Sequence, residues 1–154
     1  MTDATHSEGT GALPTSVARV LRYFESLGRE EKMQALVAYS RKLEAPPERF
    51  RDLDRGAFTV PECQTRVDVF PEFRDGKMYF YADLDVRQSP TIAAFLAILF
   101  SAINGQPPST VLAIPDDFVR QMMEGIGLAG REIGLTAMLL RIKRYAKQAT
   151  IAAA

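Results

Sequence analysis

The stretch Ile92 to Ile103, Ile-Ala-Ala-Phe-Leu-Ala-Ile-Leu-Phe-Ser-Ala-Ile, constrains this chain most, because it is apolar nearly all round a helix and not along one stripe. A helix apolar on every side is either a membrane span or the buried centre of a fold. At about 1.5 Å of rise per residue the run is too short to cross a bilayer. It is therefore expected to be a central helix covered on most sides by the rest of the chain. Ser89-Pro90-Thr91 marks its start, proline being tolerated in a first turn, and Asn104-Gly105 followed by Pro107-Pro108 marks its end.

What covers it is read from the hydrophobic period. Pro14-Thr15-Ser16 predicts a helix entry with a hydroxyl cap, and Val17, Val20, Leu21, Phe24 and Leu27 then form one apolar face. Gly28 suits a left-handed stop. A second helix opens with Glu30 and Glu31, with Met33, Leu36, Val37, Ser40 and Leu43 as its buried stripe and Pro46-Pro47 as its end. Residues 46–60 are mostly charged and without period, which predicts a loop. The period then becomes two: Val67 and Val69 oppose Arg66, Asp68 and Phe70, and Met78, Phe80, Ala82, Leu84 and Val86 share a face beyond Asp75-Gly76. Two such runs around Asp-Gly predict a hairpin of strands 66–70 and 77–86. After the central helix, Ile114-Pro115-Asp116-Asp117 leads into a short helix with Phe118, Val119, Met122, Met123 and Ile126. A last helix from about Arg131 to Lys147 buries Leu135, Met138, Leu139, Ile142 and Ala146. Arg141, Lys143, Arg144 and Lys147 are expected to complement the dipole at its C-terminus. The expected boundaries are a disordered tail over 1–12, one domain over 13–148 and a frayed tail over 149–154.

Charge and sulfur content narrow the function. Nineteen acidic and nineteen basic side chains cancel, which argues against binding nucleic acid or a membrane surface by bulk charge. One cysteine cannot form an internal disulfide, which points to the cytoplasm. His6, the single histidine, lies in the N-terminal tail, so no usual zinc set and no Ser-His-Asp or Cys-His arrangement is expected. Gly125-Ile126-Gly127-Leu128-Ala129-Gly130 spells the dinucleotide pattern, but a helix and not a strand precedes it, so it reads as a connector. The pairs Glu30/Glu31 and Asp116/Asp117 are explained by helix first turns.

That leaves Cys63, in Val60-Pro61-Glu62-Cys63-Gln64-Thr65-Arg66, just ahead of the first strand. A lone cysteine is most often a small buried hydrophobe. Glu62, Gln64 and Arg66 would be costly to bury around an inert thiol, however, and a nearby arginine raises the thiolate share. With no second cysteine to resolve it, a group loaded on Cys63 must leave to a partner. Three functions stay open on these residues: a sulfur carrier, a one-cysteine peroxide-reducing protein, and an interaction module in which the thiol is incidental.

Val60-Pro61-Glu62-Cys63-Gln64-Thr65 resembles the sulfur-acceptor loop of the SufE family of cysteine desulfuration proteins. The resemblance continues through Leu112-Ala113-Ile114-Pro115-Asp116-Asp117-Phe118 and through Leu128 to Met138. Glu62 stands where the family commonly has glycine, and Thr65 where serine is usual. The resemblance implies an α+β single domain, a small antiparallel sheet packed by several helices, similar to IscU-type scaffolds. It implies that Cys63 accepts persulfide sulfur from a cysteine desulfurase, stimulates that enzyme, and delivers the sulfur to an iron–sulfur scaffold complex. The pyridoxal phosphate would belong to the desulfurase, and this chain would hold no cofactor or metal. Gln64 would shape the loop, and Arg66 and Arg131 would support it or touch the partner. In the family's resting form the cysteine is tucked against an apolar cavity and swings outward on docking.

Overall fold

The computed structural model describes residues 13–63, 65–126 and 132–153, with backbone alone at Arg55 and 123–126. Its elements in chain order are α1 (Thr15–Ser26), α2 (Arg29–Ser40), β1 (Asp68–Arg74), β2 (Lys77–Asp83), α3 (Pro90–Ile103), α4 (Pro108–Leu112), α5 (Phe118–Ile126) and α6 (Glu132–Ala153). Single 3-10 turns at Glu48–Phe50 and Arg55–Phe58 interrupt the long charged loop.

Helix α3 is the centre. Phe95, Leu96, Ile98, Leu99 and Ile103 are fully buried, and α1, α2 and β2 pack around it. Thr15 or Ser16 was expected to cap α1. The Ser16 hydroxyl instead donates to the Ala102 carbonyl of α3 at 2.7 Å, and α1 starts after Pro14 with no side-chain cap. Gly28 is not left-handed (φ −72°). It precedes α2, and its N–H donates to the Glu31 carboxylate at 2.8 Å. On α2 only Leu36 and Ser40 of the expected stripe are buried; Met33 and Val37 are about half exposed, at 55% and 50%.

The sheet is one antiparallel hairpin in the register Asp68↔Asp83 to Arg74↔Lys77. Asp75 (φ 54°) and Gly76 (φ 76°) make its two-residue turn with both residues at positive φ, the geometry that matches strand twist. The first strand runs through Pro71 to Arg74 and does not stop at Phe70, and the second ends at Asp83, short of Val86. Proline fits because β1 has no full strand on its other side. Phe70, expected on the polar face, is fully buried. The two 3-10 turns cover it, with Phe50 and Phe58 rings centred 5.4 and 5.0 Å away, and Phe50 also meets Tyr81 at 5.4 Å.

Both sheet edges are closed by short chain segments. Beyond β2, the Asn104 side chain accepts from the Phe80 N–H at 2.8 Å and donates to its carbonyl at 3.1 Å, imitating a neighbouring strand. Met78 N–H donates to Gln106 O, and Gly105 N–H to Met78 O. Beyond β1, Thr59 bridges to Asp68, and Val60 N–H donates to Val67 O at 2.9 Å. That second closure places the site: pairing residues 59–60 with 67–68 forces 61–66 out as a loop.

Helix α6 lies against β1 and α4. It does not end near Lys147 but continues to Ala153, with Ala149 packed on the core. The basic residues expected at its end therefore sit along its middle. Lys143 Nζ donates to Ile114 O at 2.6 Å and pairs with Asp116 at 2.9 Å, tying α6 to the segment ahead of α5. Among the described helices none is long and apolar enough to cross a membrane. Residues 127–131, including most of the glycine-rich stretch, lie outside the described part. The described residues form a single α+β domain with six helices and a two-stranded sheet.

Candidate functional site

Cys63 stands at the tip of the loop closed by the Val60–Val67 bond, and its own N–H donates back to Val60 O at 3.3 Å. The base of the loop is held by side chains as well. Thr59 Oγ1 donates to Asp68 Oδ1 at 2.5 Å, and Asp68 is 1% exposed. Arg66 Nε donates to the same carboxylate, at 3.4 Å to Oδ1 and 3.2 Å to Oδ2. On the outgoing side, the hydroxyls of Thr65 and buried Ser89 are 2.9 Å apart, which fastens the loop to the start of α3. Thr65 thus keeps the hydroxyl that a serine would supply.

The tip is held less firmly than the base. Cys63 is half-buried and packs on the edge of the core. Its Sγ lies 4.0 Å from the Gly134 carbonyl oxygen in the first turn of α6, the outer limit for a weak thiol bond. Next to it an open basin of roughly 690 Å³ is lined by Gly56, Thr59, Val60, Pro61, Cys63, Arg66 and Arg141.

The electrostatics run opposite to the sequence expectation. Burial pushes the Cys63 thiol above its ordinary range, and the negative Glu62 beside it adds to the shift. Arg66 does not counter this: its guanidinium is engaged by Asp68, so closeness in sequence does not make it the thiol's cation. The site residue that sequence reasoning missed is Arg141, which it assigned to a helix end. Arg141 faces the same basin, donating to Ala57 O at 3.4 Å and to the Tyr145 hydroxyl at 3.2 Å. The i, i+4 spacing of Arg141 and Tyr145 was visible, but not the loop that Arg141 meets. Gln64 and Arg131 lie outside the described residues. Among the described residues no group of three or more His, Cys, Asp or Glu could hold a metal ion.

A half-buried neutral thiol on a tethered loop, opening on a basin with two arginines, suits group transfer to or from a docked partner. Known proteins place the chain. The family model described as "SufE: Fe-S metabolism associated domain" matches residues 18–146. The uncharacterized SufE-like protein Rv3284 of Mycobacterium tuberculosis is 30% identical over 146 residues, 90% of this chain and 96% of that one. The uncharacterized SufE-like protein slr1419 of Synechocystis is 24% identical over 108 residues, covering 70% of this chain and 64% of the relative. The solution structure of a hypothetical protein from Thermus thermophilus superposes with a TM-score of 0.79 at 30% identity, over 91% of this chain and 99% of that one. With the loop cysteine, the hairpin and the apolar central helix in place, the chain belongs to the SufE family, which is associated with iron–sulfur metabolism.

Proposed function

We propose that this protein is a sulfur acceptor and carrier, loaded at Cys63 by a cysteine desulfurase. The observation that carries the proposal is the contrast within one loop. Its base is clamped by Val60–Val67, Thr59–Asp68 and Thr65–Ser89, whereas at its tip the half-buried thiol meets α6 through a weak hydrogen bond of 4.0 Å to Gly134 O. Such a loop can swing its thiol without disturbing the fold.

The transfer balances without an outside oxidant. The desulfurase, using its own pyridoxal phosphate, holds sulfur as a cysteine persulfide. Cys63 gives up its proton and its thiolate attacks the outer sulfur. The donor S–S bond breaks, a new S–S bond forms on Cys63, and the donor thiolate leaves and takes a proton. The persulfide is then handed to an iron–sulfur scaffold complex by the same exchange.

The raised thiol gives the resting protein little nucleophile. Loading then requires that the side chain leave its half-buried place on docking, where desolvation no longer favours the neutral form. Peroxide reduction fits less well, since it needs a lowered thiol in the free protein. The test is Cys63→Ser in a reaction with a desulfurase and sulfur-labelled cysteine. The variant is expected to dock while losing both the label and the stimulation of turnover; a variant that still accepts label would refute the proposal.

A further inference from the structure

Arg66 and Arg141 both line the basin of roughly 690 Å³ beside Cys63, and only the first has its charge matched among the described residues, by Asp68. Arg141 lies seven residues beyond Gly134 on the same face of α6, about 10 Å along the helix axis. Both of its hydrogen bonds, to Ala57 O at 3.4 Å and to the Tyr145 hydroxyl at 3.2 Å, are made by Nη1 and go to neutral oxygens. Among the described residues its Nε and Nη2 carry no bond. Those two groups form the fork with which a guanidinium meets a carboxylate through two parallel bonds. Glu62, beside the thiol, opposes any anion that approaches the sulfur. A negatively charged substrate therefore needs a cation of its own in the basin, and Arg141 supplies one.

We propose that the basin is a carboxylate subsite serving the sulfur of Cys63, with Arg141 as its cation. The ligand class is a small thiol that carries a carboxylate, its sulfur at Cys63 and its carboxylate on the Arg141 fork. The inference rests on the carrier reading for its sulfur chemistry and adds a small-molecule exit for the cargo. In that exit the acceptor loses its proton and its thiolate attacks the outer sulfur of the Cys63 persulfide. The S–S bond on Cys63 breaks, a new S–S bond forms on the small molecule, and Cys63 leaves as thiolate and takes up a proton. The exchange balances without an oxidant or a reductant.

The experiment has two arms. The first compares alkylation of Cys63 in the full chain by iodoacetate, which carries a carboxylate, and by iodoacetamide, its neutral counterpart of similar size. Both reagents react with the same thiolate, so the ratio of their rates cancels the exposure and ionisation of the thiol and reports the charge preference. The ratio is expected to be about two- to fivefold higher for the native protein than for the same chain in urea, the range that an exposed ion pair supplies. It should fall in high salt, drop to the value in urea for Arg141→Gln, and be kept in part by Arg141→Lys. The second arm loads Cys63 with labelled sulfur through a desulfurase and follows its discharge to mercaptopropionate and to neutral mercaptoethanol. The preference for the first should weaken in Arg141→Gln by the same factor. A native alkylation ratio no higher than that in urea, or one that Arg141→Gln leaves unchanged, would overturn the subsite. A charge preference in alkylation without one in discharge would assign the fork to a carboxylate of the docked protein and overturn the small-molecule exit. Alkylation needs no sulfur, so a wild type that takes no label refutes the carrier and leaves the subsite to be judged by the first arm.

Discussion

Replacing Thr59 by valine removes one hydroxyl from the base of the Cys63 loop and little else. Valine keeps the β-branched shape that suits a residue bridged to a strand. The lost bond is a hydroxyl donating at 2.5 Å to the carboxylate of Asp68, a residue 1% exposed. A hydrogen bond to a charged group contributes about 1.5–3 kcal/mol. Arg66 still pairs with Asp68 in the variant, so the carboxylate keeps its counter-charge and the cost should fall near ~2 kcal/mol, in the lower part of that range. For a chain of this size that corresponds to a drop of about 4–8 °C in Tm. Thermal unfolding followed by circular dichroism reads it, with Thr59→Ser as the control that retains the hydroxyl and should stay close to wild type. Alkylation of Cys63 should also quicken in the valine variant, because the tip is anchored through this base. A loss below about 0.5 kcal/mol, the ordinary scatter of surface substitutions, would refute the clamp.

Other consequences are as direct. Asn104→Ala leaves both the N–H and the carbonyl of Phe80 without the side chain that pairs them, and should cost about 2–3 kcal/mol in urea unfolding. Glu72 is held below the usual carboxylate range by hydrogen bonds from Arg49 and then Arg74, so its contribution is present above about pH 4.5 and lost as pH falls through the lowered value. Wild type and Glu72→Gln should therefore differ in stability at neutral pH and converge in acid. The Cys63 thiol is raised from an ordinary 9.0, chiefly by burial. The folded protein thus holds its proton more tightly than the unfolded chain, and this contribution to stability is full below about pH 9 and lost as pH rises through the folded value. Iodoacetamide rates for the native protein should be displaced to higher pH than for the same chain in denaturant.

Local pattern revealed the parts whose reasons are local. Helix α3 was legible because a run apolar on every side, and too short to span a bilayer, belongs at the centre of a fold. The hairpin was legible because Asp75-Gly76 fits a turn with two positive φ angles. Phe70 was misassigned because its cover comes from Phe50 and Phe58, on 3-10 turns that have no period. Met33 and Val37 were placed inward on the assumption that a helix turns every apolar residue to the core, whereas only the Leu36–Ser40 line of α2 is buried. The end of α6 was set too early: its terminal alanines are the best helix formers, and they continue the helix to Ala153. At the site, Cys63 and its place before the first strand could be read directly. The Thr65–Ser89 bond, the Cys63–Gly134 contact and Arg141 join positions far apart in the chain, and no spacing encodes them. Arg66 misled because its neighbour in sequence is the thiol, while its partner in space is Asp68.

The account rests on Cys63 receiving sulfur, and intact-mass spectrometry after incubation with a cysteine desulfurase and cysteine tests this most directly. The prediction is a gain of one sulfur atom, located at Cys63 by peptide mapping and removed by a reductant. A protein that stays at its unmodified mass while the desulfurase turns over would contradict it.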